Sequence, residues 1–199
     1  MSPSLTKEYW DAQNLQPKTG WDIGYPSPPL TQYFDQLTGK SMRILIPGAG
    51  MGWEVEYLYK QGFVNVFLLD FSKEITRKFM ERCPDFPRNQ VICSDFFSHT
   101  DSYDLIVEQT FFSSLPRDLR PNYVNQLHNL LTPGGKVVGL LFNHEFTFDA
   151  PPFGGTEEEY CQLFKAKFHL LQMDIAYNSI KPRQKRELFF ILEKSKDQA

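Results

Sequence analysis

Three alternating glycines, Gly48, Gly50 and Gly52, follow the apolar run Arg43-Ile-Leu-Ile-Pro47, and Asp70 closes a second run, Val66-Phe-Leu-Leu-Asp70. A short apolar stretch that breaks into glycines reads as a buried strand entering a tight turn. With no side chains at those positions, the backbone can come close to a ligand. A carboxylate at the tip of the next strand can accept hydrogen bonds from both hydroxyls of a ribose. The two features together imply a pocket for an adenosine-bearing small molecule. Asp95 and Phe96 suit its base, the carboxylate accepting from an exocyclic amine and the ring lying on the flat face. Glu108, closing a further apolar run, can meet an ammonium or act as a base. Each residue also has a plainer use: a tight turn for the glycines, a helix cap for Asp70, core packing for Phe96.

The elements that must position these residues alternate. Strands are expected at about 43–47, 65–70, 90–93, 103–108 and 136–142. Helices are expected from Pro28 to Leu37, from Trp53 to Gln61, after Ser72 as cap, from Pro116 to Leu131, and over about 156–166. Thr132-Pro-Gly-Gly135 is expected to end the fourth of these helices. Residues 168–177 and 187–193 read as an antiparallel pair on a short link, and residues 1–30 read as irregular. Such alternation implies an α/β architecture: a mainly parallel seven-stranded sheet with an antiparallel last strand and helices on both faces. Gly48–Gly52, Asp70, Asp95 and Glu108 all fall at the C-terminal ends of strands, where ligands bind in such sheets.

Composition narrows the partners. The 199 residues are 41% hydrophobic and 23% charged with a formal charge of −3, so there is no basic footprint for nucleic acid. The charge run Lys181 to Arg186 reads as a solvated loop. Cys83, Cys93 and Cys161 are odd in number and lack paired spacing, which argues for free thiols and against a disulfide framework or a metal site. Met1-Ser-Pro-Ser-Leu5 lacks the pattern of a signal peptide, and no apolar run approaches a membrane span. A cytoplasmic monomer acting on a small molecule is expected.

The glycine spacing selects the cofactor. The turn reads Gly-x-Gly-x-Gly, whereas a dinucleotide fingerprint reads Gly-x-Gly-x-x-Gly, and Trp53 stands where the last glycine would be. An indole there crowds a pyrophosphate, which favours a cofactor with one nucleoside, S-adenosylmethionine, over a nicotinamide.

Several segments resemble the thiopurine S-methyltransferase superfamily, and more nearly its plant-type thiol and halide methyltransferase branch. They are Glu108-Gln-Thr-Phe-Phe112 with Ser113-Ser-Leu-Pro116, Leu130-Leu-Thr-Pro-Gly-Gly135, Asp149-Ala-Pro-Pro-Phe153, Ile180-Lys-Pro-Arg183 with Glu187, and Trp21-Asp-Ile-Gly24. The resemblance runs from about Trp10 to Glu187. It implies a Rossmann-like methyltransferase domain over 1–199, with 1–38 as an N-terminal lid segment and helix and 39–199 as the core. It further implies that Trp10, Trp21, Gly48, Asp70, Asp95 and Phe96 contact S-adenosylmethionine. Gly50, Gly52, Phe71 and Glu108 complete the expected set. Two indoles suit a sulfonium, because aromatic faces attract cations by about 0.5–2 kcal/mol.

The expected reaction is one in-line methyl transfer to a soft nucleophile, a thiol, sulfide or halide. A thiol's small thiolate fraction is strongly nucleophilic, so no essential catalytic base is expected. Phe111, Phe112, Pro152 and Phe153 can wall an apolar acceptor pocket, and Arg183 can hold an anion. An amine or oxygen acceptor would instead need Glu108 or Asp22 as base. A non-catalytic adenosine-binding protein is the alternative outside enzymes.

Overall fold

The computed structural model describes residues 6–14 and 19–196. Met1 to Leu5, from which no signal peptide is expected, lie outside the described residues, as does part of the N-terminal lid segment. Among the described residues no helix is long and apolar enough to cross a membrane.

The chain begins with α1 (Lys7–Asn14) and α2 (Pro28–Phe34). It then alternates through β1 (Arg43–Pro47), α3 (Trp53–Lys60), β2 (Asn65–Asp70), α4 (Lys73–Arg82), β3 (Val91–Cys93) and β4 (Tyr103–Gln109). A one-turn helix α5 (Phe111–Ser114) precedes α6 (Arg120–Leu130), β5 (Leu131–Phe142), α7 (Glu157–Phe164), β6 (His169–Ile175) and β7 (Glu187–Glu193). The sheet order is β3-β2-β1-β4-β5-β7-β6, with β7 antiparallel to both its neighbours and every other pairing parallel. The expected seven-stranded, mainly parallel sheet with an antiparallel last strand is therefore observed. The order reverses at β1, between β2 and β4, which opens a crevice beyond their carboxyl ends.

The pleat sorts the core into two layers. Ile44 and Ile46 of β1 face α2, α3 and α4, where Leu30, Phe34, Val55, Leu58 and Phe79 meet them. Leu45, between them in sequence, faces the opposite layer with Tyr123, Leu127, Tyr160 and Phe164 of α6 and α7. Full burial of one such side chain contributes about 1.5–3 kcal/mol. This two-sided burial holds the strand ends, and the groups they carry, at fixed separations.

Two local expectations are corrected. Residues 1–30 are not wholly irregular: Lys7–Asn14 is helical, and its Asp11 accepts from the Ser72 hydroxyl at the head of α4. Thr132-Pro-Gly-Gly135 lies inside β5 rather than between helix and strand. Leu131 pairs with Tyr103, the register then slips, and Lys136 resumes opposite Leu105. The slip absorbs the Pro-Gly-Gly stretch as an irregularity within the strand.

Candidate functional site

A cavity of about 850 Å³ opens over the carboxyl ends of β1, β2 and β4. One end is built by the glycine turn and Asp70. Gly48 and Gly50 border it, both in the left-handed region, with φ of 56° and 52°. A Cβ on Gly48 would fall 2.4 Å from the Phe111 ring, whereas one on Gly50 would meet no protein atom within 4 Å. Gly50 thus leaves open space where a side chain would otherwise stand.

Asp70, almost fully buried, accepts from the Gly50 N–H at 3.1 Å and the Ser72 N–H at 2.9 Å. Ser72 caps α4, so the carboxylate is tied to the helix start and the glycine turn together. Burial pushes the Asp70 carboxyl up to about 6; the Ser72 and Gly50 N–H groups oppose the shift without cancelling it. Two N–H donors leave carboxylate lone pairs free for further donors.

Phe71, Asp95 and Phe96 continue this wall. The Asp95 carboxylate accepts from the Phe97 N–H, which anchors it at the cavity edge. Trp10 and Trp21 close over the cavity, their rings edge to face at a centroid distance of 5.7 Å. Arg183 holds this segment down, donating to the Trp21 carbonyl at 3.0 Å and the Gly20 carbonyl at 3.3 Å while pairing with Glu187 at 3.3 Å. Arg183 is buried and borders the cavity, so the expectation of a solvated loop over Lys181–Arg186 fails at its centre.

The other end is aromatic and basic. Phe142, Phe146, Phe148 and Pro152 border it, with His144 packed among the phenylalanines, while Phe111 stands between the two ends, against Gly48 and Phe96. Arg186 reaches the His144 Nε2, and the His144 Nδ1 is buried without a partner. Burial, with Arg186 adding to it, holds the His144 pKa below the usual histidine value, which keeps the ring neutral. The cavity therefore runs from carboxylates at the Asp70 end to cations at the Arg183 end.

Gly52, Phe112, Phe153 and Glu108, all expected at the site, do not border the cavity. Gly52 heads α3, and a Cβ there would strike Phe79 and Leu68. Its role is to let helix and strand approach. Phe112 is buried among Tyr123, Tyr160 and Phe164. Phe153 contributes through its backbone: its N–H donates to the Ser113 carbonyl at 2.6 Å and ties the loop after β5 to α5. Glu108 is fully buried behind α5, its carboxylate taken up by the Phe112 N–H and the Tyr123 hydroxyl. Asp22, the other candidate base, accepts from Trp53 Nε1 at 2.8 Å and from the Gly24 N–H. His144, Arg186 and the phenylalanines between 142 and 148 were not legible as site residues. Their one signal in the sequence is the density of aromatics after β5, which core packing explains equally well.

The thiopurine S-methyltransferase family model matches residues 5–195. The chain belongs to the thiopurine S-methyltransferase family. It is 27% identical to a probable thiol methyltransferase 2 of Arabidopsis thaliana over 76% of this chain and 69% of that one. It is 24% identical to a thiopurine S-methyltransferase of Photobacterium profundum over 96% of this chain and 97% of the relative. Among solved structures, the 1,6-didemethyltoxoflavin-N1-methyltransferase of Burkholderia thailandensis, with S-adenosylhomocysteine bound, superposes at a TM-score of 0.75. That match is 16% identical and covers 96% of this chain and 88% of that one. A TehB-like methyltransferase of Corynebacterium glutamicum superposes at 0.66 with 19% identity, covering 94% and 95% of the two chains.

The protein is thus an S-adenosylmethionine-dependent methyltransferase with a Rossmann-like fold. The residues present fit that cofactor. The open space at Gly50 admits a close ligand, and Asp70 retains acceptor capacity beside it. The aromatic cover at Trp10 and Trp21 suits a cationic sulfur.

Proposed function

We propose that this methyltransferase acts on a small soft nucleophile, a thiol above all, with sulfide and halide as smaller members of the same class. The observation that carries this reading is the acceptor end of the cavity. It combines phenylalanine rings with Arg186 and with Arg183, whose charge is shared with Glu187, and among the described residues no carboxylate borders that end to serve as a base. Apolar walls strip water from a soft anion, which raises its reactivity but disfavours its charge, and guanidinium charge offsets that cost by favouring it over the protonated form. An amine acceptor would require the opposite, a group that removes a proton: Glu108 and Asp22 are already engaged elsewhere, and the His144 Nε2 is taken by the Arg186 guanidinium, which leaves Nδ1 to carry the ring's proton.

When bound, S-adenosylmethionine supplies a methyl group on a positively charged sulfur, an excellent leaving group. The protein's own contribution is alignment and exclusion of water, which in favourable cases amount to about 7–11 kcal/mol. Asp70 holds the ribose hydroxyls, and Asp95 with Phe96 receives the adenine. Gly50 would admit the amino-acid end, Gly48 borders it with Phe111 packed against its backbone, and Phe71 completes the wall. Trp10 and Trp21 act as a lid, and Arg183 fastens it by gripping the backbone at Gly20 and Trp21. The cover in this reading is α1 with the Trp21 segment, whereas α2 packs Leu30 and Phe34 into the core and belongs with it. Phe111 and Pro152 line the acceptor's approach.

The test is incubation with methyl-labelled S-adenosylmethionine and a panel of thiols, hydrosulfide, iodide, amines and phenols. Label is expected in the thiols and hydrosulfide, at rates at least about tenfold above any amine, because no carboxylate base borders the acceptor end among the described residues and Arg186 occupies the His144 Nε2. Label confined to amines or phenols would overturn the reading. Cofactor binding with no labelled product from any acceptor would favour a non-catalytic binding protein.

A further inference from the structure

We infer that Glu108 and Tyr123 form a buried positioning pair that sets α5 against the cofactor cleft, so that Glu108 serves the reaction without touching either reactant. This rests on the methyl-transfer reading above only for its kinetic arm.

Glu108 sits near the end of β4, where strand ends carry chemistry in this fold, yet it is fully buried and does not border the cavity. One oxygen accepts the Phe112 N–H at 2.9 Å; the other accepts the Tyr123 hydroxyl from α6. The carboxylate therefore joins three elements, β4, α5 and α6, at one point.

The two residues it holds lead straight to the cleft. Tyr123 packs its ring on Phe96 at 5.5 Å, on Phe111 at 6.0 Å and on Phe112 at 5.2 Å. Phe96 borders the base end of the cavity, and Phe111 fills the space a Gly48 side chain would take. Within α5, Ser113 and Ser114 also border the cavity, and the Ser113 carbonyl accepts from Phe153 of the loop after β5. A shift of α5 would therefore move both the glycine turn's neighbour and the acceptor loop.

Two backbone features say that this arrangement is imposed from outside α5. Thr110, which enters it, has φ of 62°, a left-handed conformation that a β-branched residue rarely holds unless its surroundings require it. Gly139, opposite Glu108 on β5, has room for no side chain, since a Cβ there would lie 2.4 Å from that of Glu108. The neighbouring strand thus leaves space for the Glu108 side chain to pass.

Burial lifts the Glu108 carboxyl to about 7, but the network does not depend on its charge. A protonated carboxyl can donate to the Tyr123 oxygen and still accept from Phe112, and a glutamine amide can do the same. This separates positioning from general-base catalysis, which glutamine cannot perform.

The experiment compares the parent enzyme with Glu108→Gln, Glu108→Ala and Tyr123→Phe. It measures S-adenosylhomocysteine affinity by calorimetry, and kcat and KM with benzenethiol from pH 6 to 9. Glu108→Ala is expected to raise KM for benzenethiol by about tenfold or more and to weaken S-adenosylhomocysteine several-fold, because small displacements of positioning groups are costly. Tyr123→Phe is expected to change both in the same direction by less. Glu108→Gln is expected to restore both to within about threefold of the parent, with the pH profile unchanged. A hundredfold loss of kcat in Glu108→Gln, with the acid limb of the profile gone, would make Glu108 a catalytic base and overturn the inference. So would folded Glu108→Ala with parental values; if that variant does not fold, parental values in Tyr123→Phe would do the same. A parent enzyme that binds S-adenosylhomocysteine but leaves benzenethiol unmethylated would count against the thiol reading alone, and the calorimetric arm would still decide the role of Glu108.

Discussion

Replacing Asp70 by alanine is expected to raise the dissociation constant for S-adenosylhomocysteine by roughly two orders of magnitude while the protein stays folded. Hydrogen bonds to a charged group contribute about 1.5–3 kcal/mol each, and the carboxylate is the acceptor assigned to both ribose hydroxyls. The substitution also frees the Gly50 and Ser72 N–H groups, which costs stability. It removes the burden of a buried charge at the same time, so the two effects offset and the melting temperature should change little. Calorimetric titration alongside a thermal melt separates the two outcomes.

The same group dictates how binding depends on pH. The carboxyl of Asp70 is raised from 3.8 to about 6 in the folded protein, so the folded state holds this proton more tightly than the unfolded one. Between those two values stability of the cofactor-free protein falls as pH rises, by roughly 3 kcal/mol from this group in total. Cofactor affinity runs the other way. The ionised carboxylate accepts from both hydroxyls, so affinity should rise with pH through about 6 and level off above it. In Asp70→Ala that rise should be absent.

The second large effect separates two glycines that look alike in sequence. Gly48→Ala forces a Cβ into the Phe111 ring and holds a side chain at φ of 56°. Left-handed backbone costs about 1–2 kcal/mol and overpacking about 1–3 kcal/mol. At roughly 2–4 °C per kcal/mol for a chain of this length, the melting temperature should fall by about 5–15 °C. Gly50→Leu places its side chain in the open cavity, so only the backbone cost applies, and the melt should drop by about 2–8 °C. Its cofactor affinity should nevertheless collapse by more than about a hundredfold, as steric exclusion from a shaped pocket predicts. Thermal melts with and without S-adenosylhomocysteine read both effects: a ligand-induced rise should vanish in Gly50→Leu.

These two glycines mark the border of what the sequence discloses. The strand–turn–strand pattern around Gly48 and Asp70 was legible because apolar periodicity and turn chemistry are local properties. So was the antiparallel pairing of β7 with β6, which the short link between them implies. The different duties of Gly48, Gly50 and Gly52 were not, since each depends on what lies across from it: Phe111, open space, or Phe79. Glu108 was misplaced for the same reason. Its position at a strand end is visible in the chain, but its partner Tyr123 comes from α6, and only packing brings them together.

Arg183 shows the limit from the charged side. Surrounded in sequence by Lys181, Lys185 and Arg186, it reads as one of a solvated group, yet Glu187 and two backbone carbonyls bury it. Its neighbour Arg186 gains its role only by meeting His144 across the cavity mouth. Helix α1 escaped notice because Lys7–Asn14 has neither a proline start nor a glycine stop, and its anchoring contacts, Trp10 on Trp21 and Asp11 on Ser72, are tertiary.

The most direct measurement is a crystal structure of the protein grown with S-adenosylhomocysteine. In that crystal the ribose hydroxyls are expected on the Asp70 carboxylate, the amino-acid end over Gly50, and the sulfur beneath Trp10 and Trp21. A nucleoside bound away from Asp70, or a glycine turn closed against Trp53 with the ligand outside the cavity, would contradict that placement.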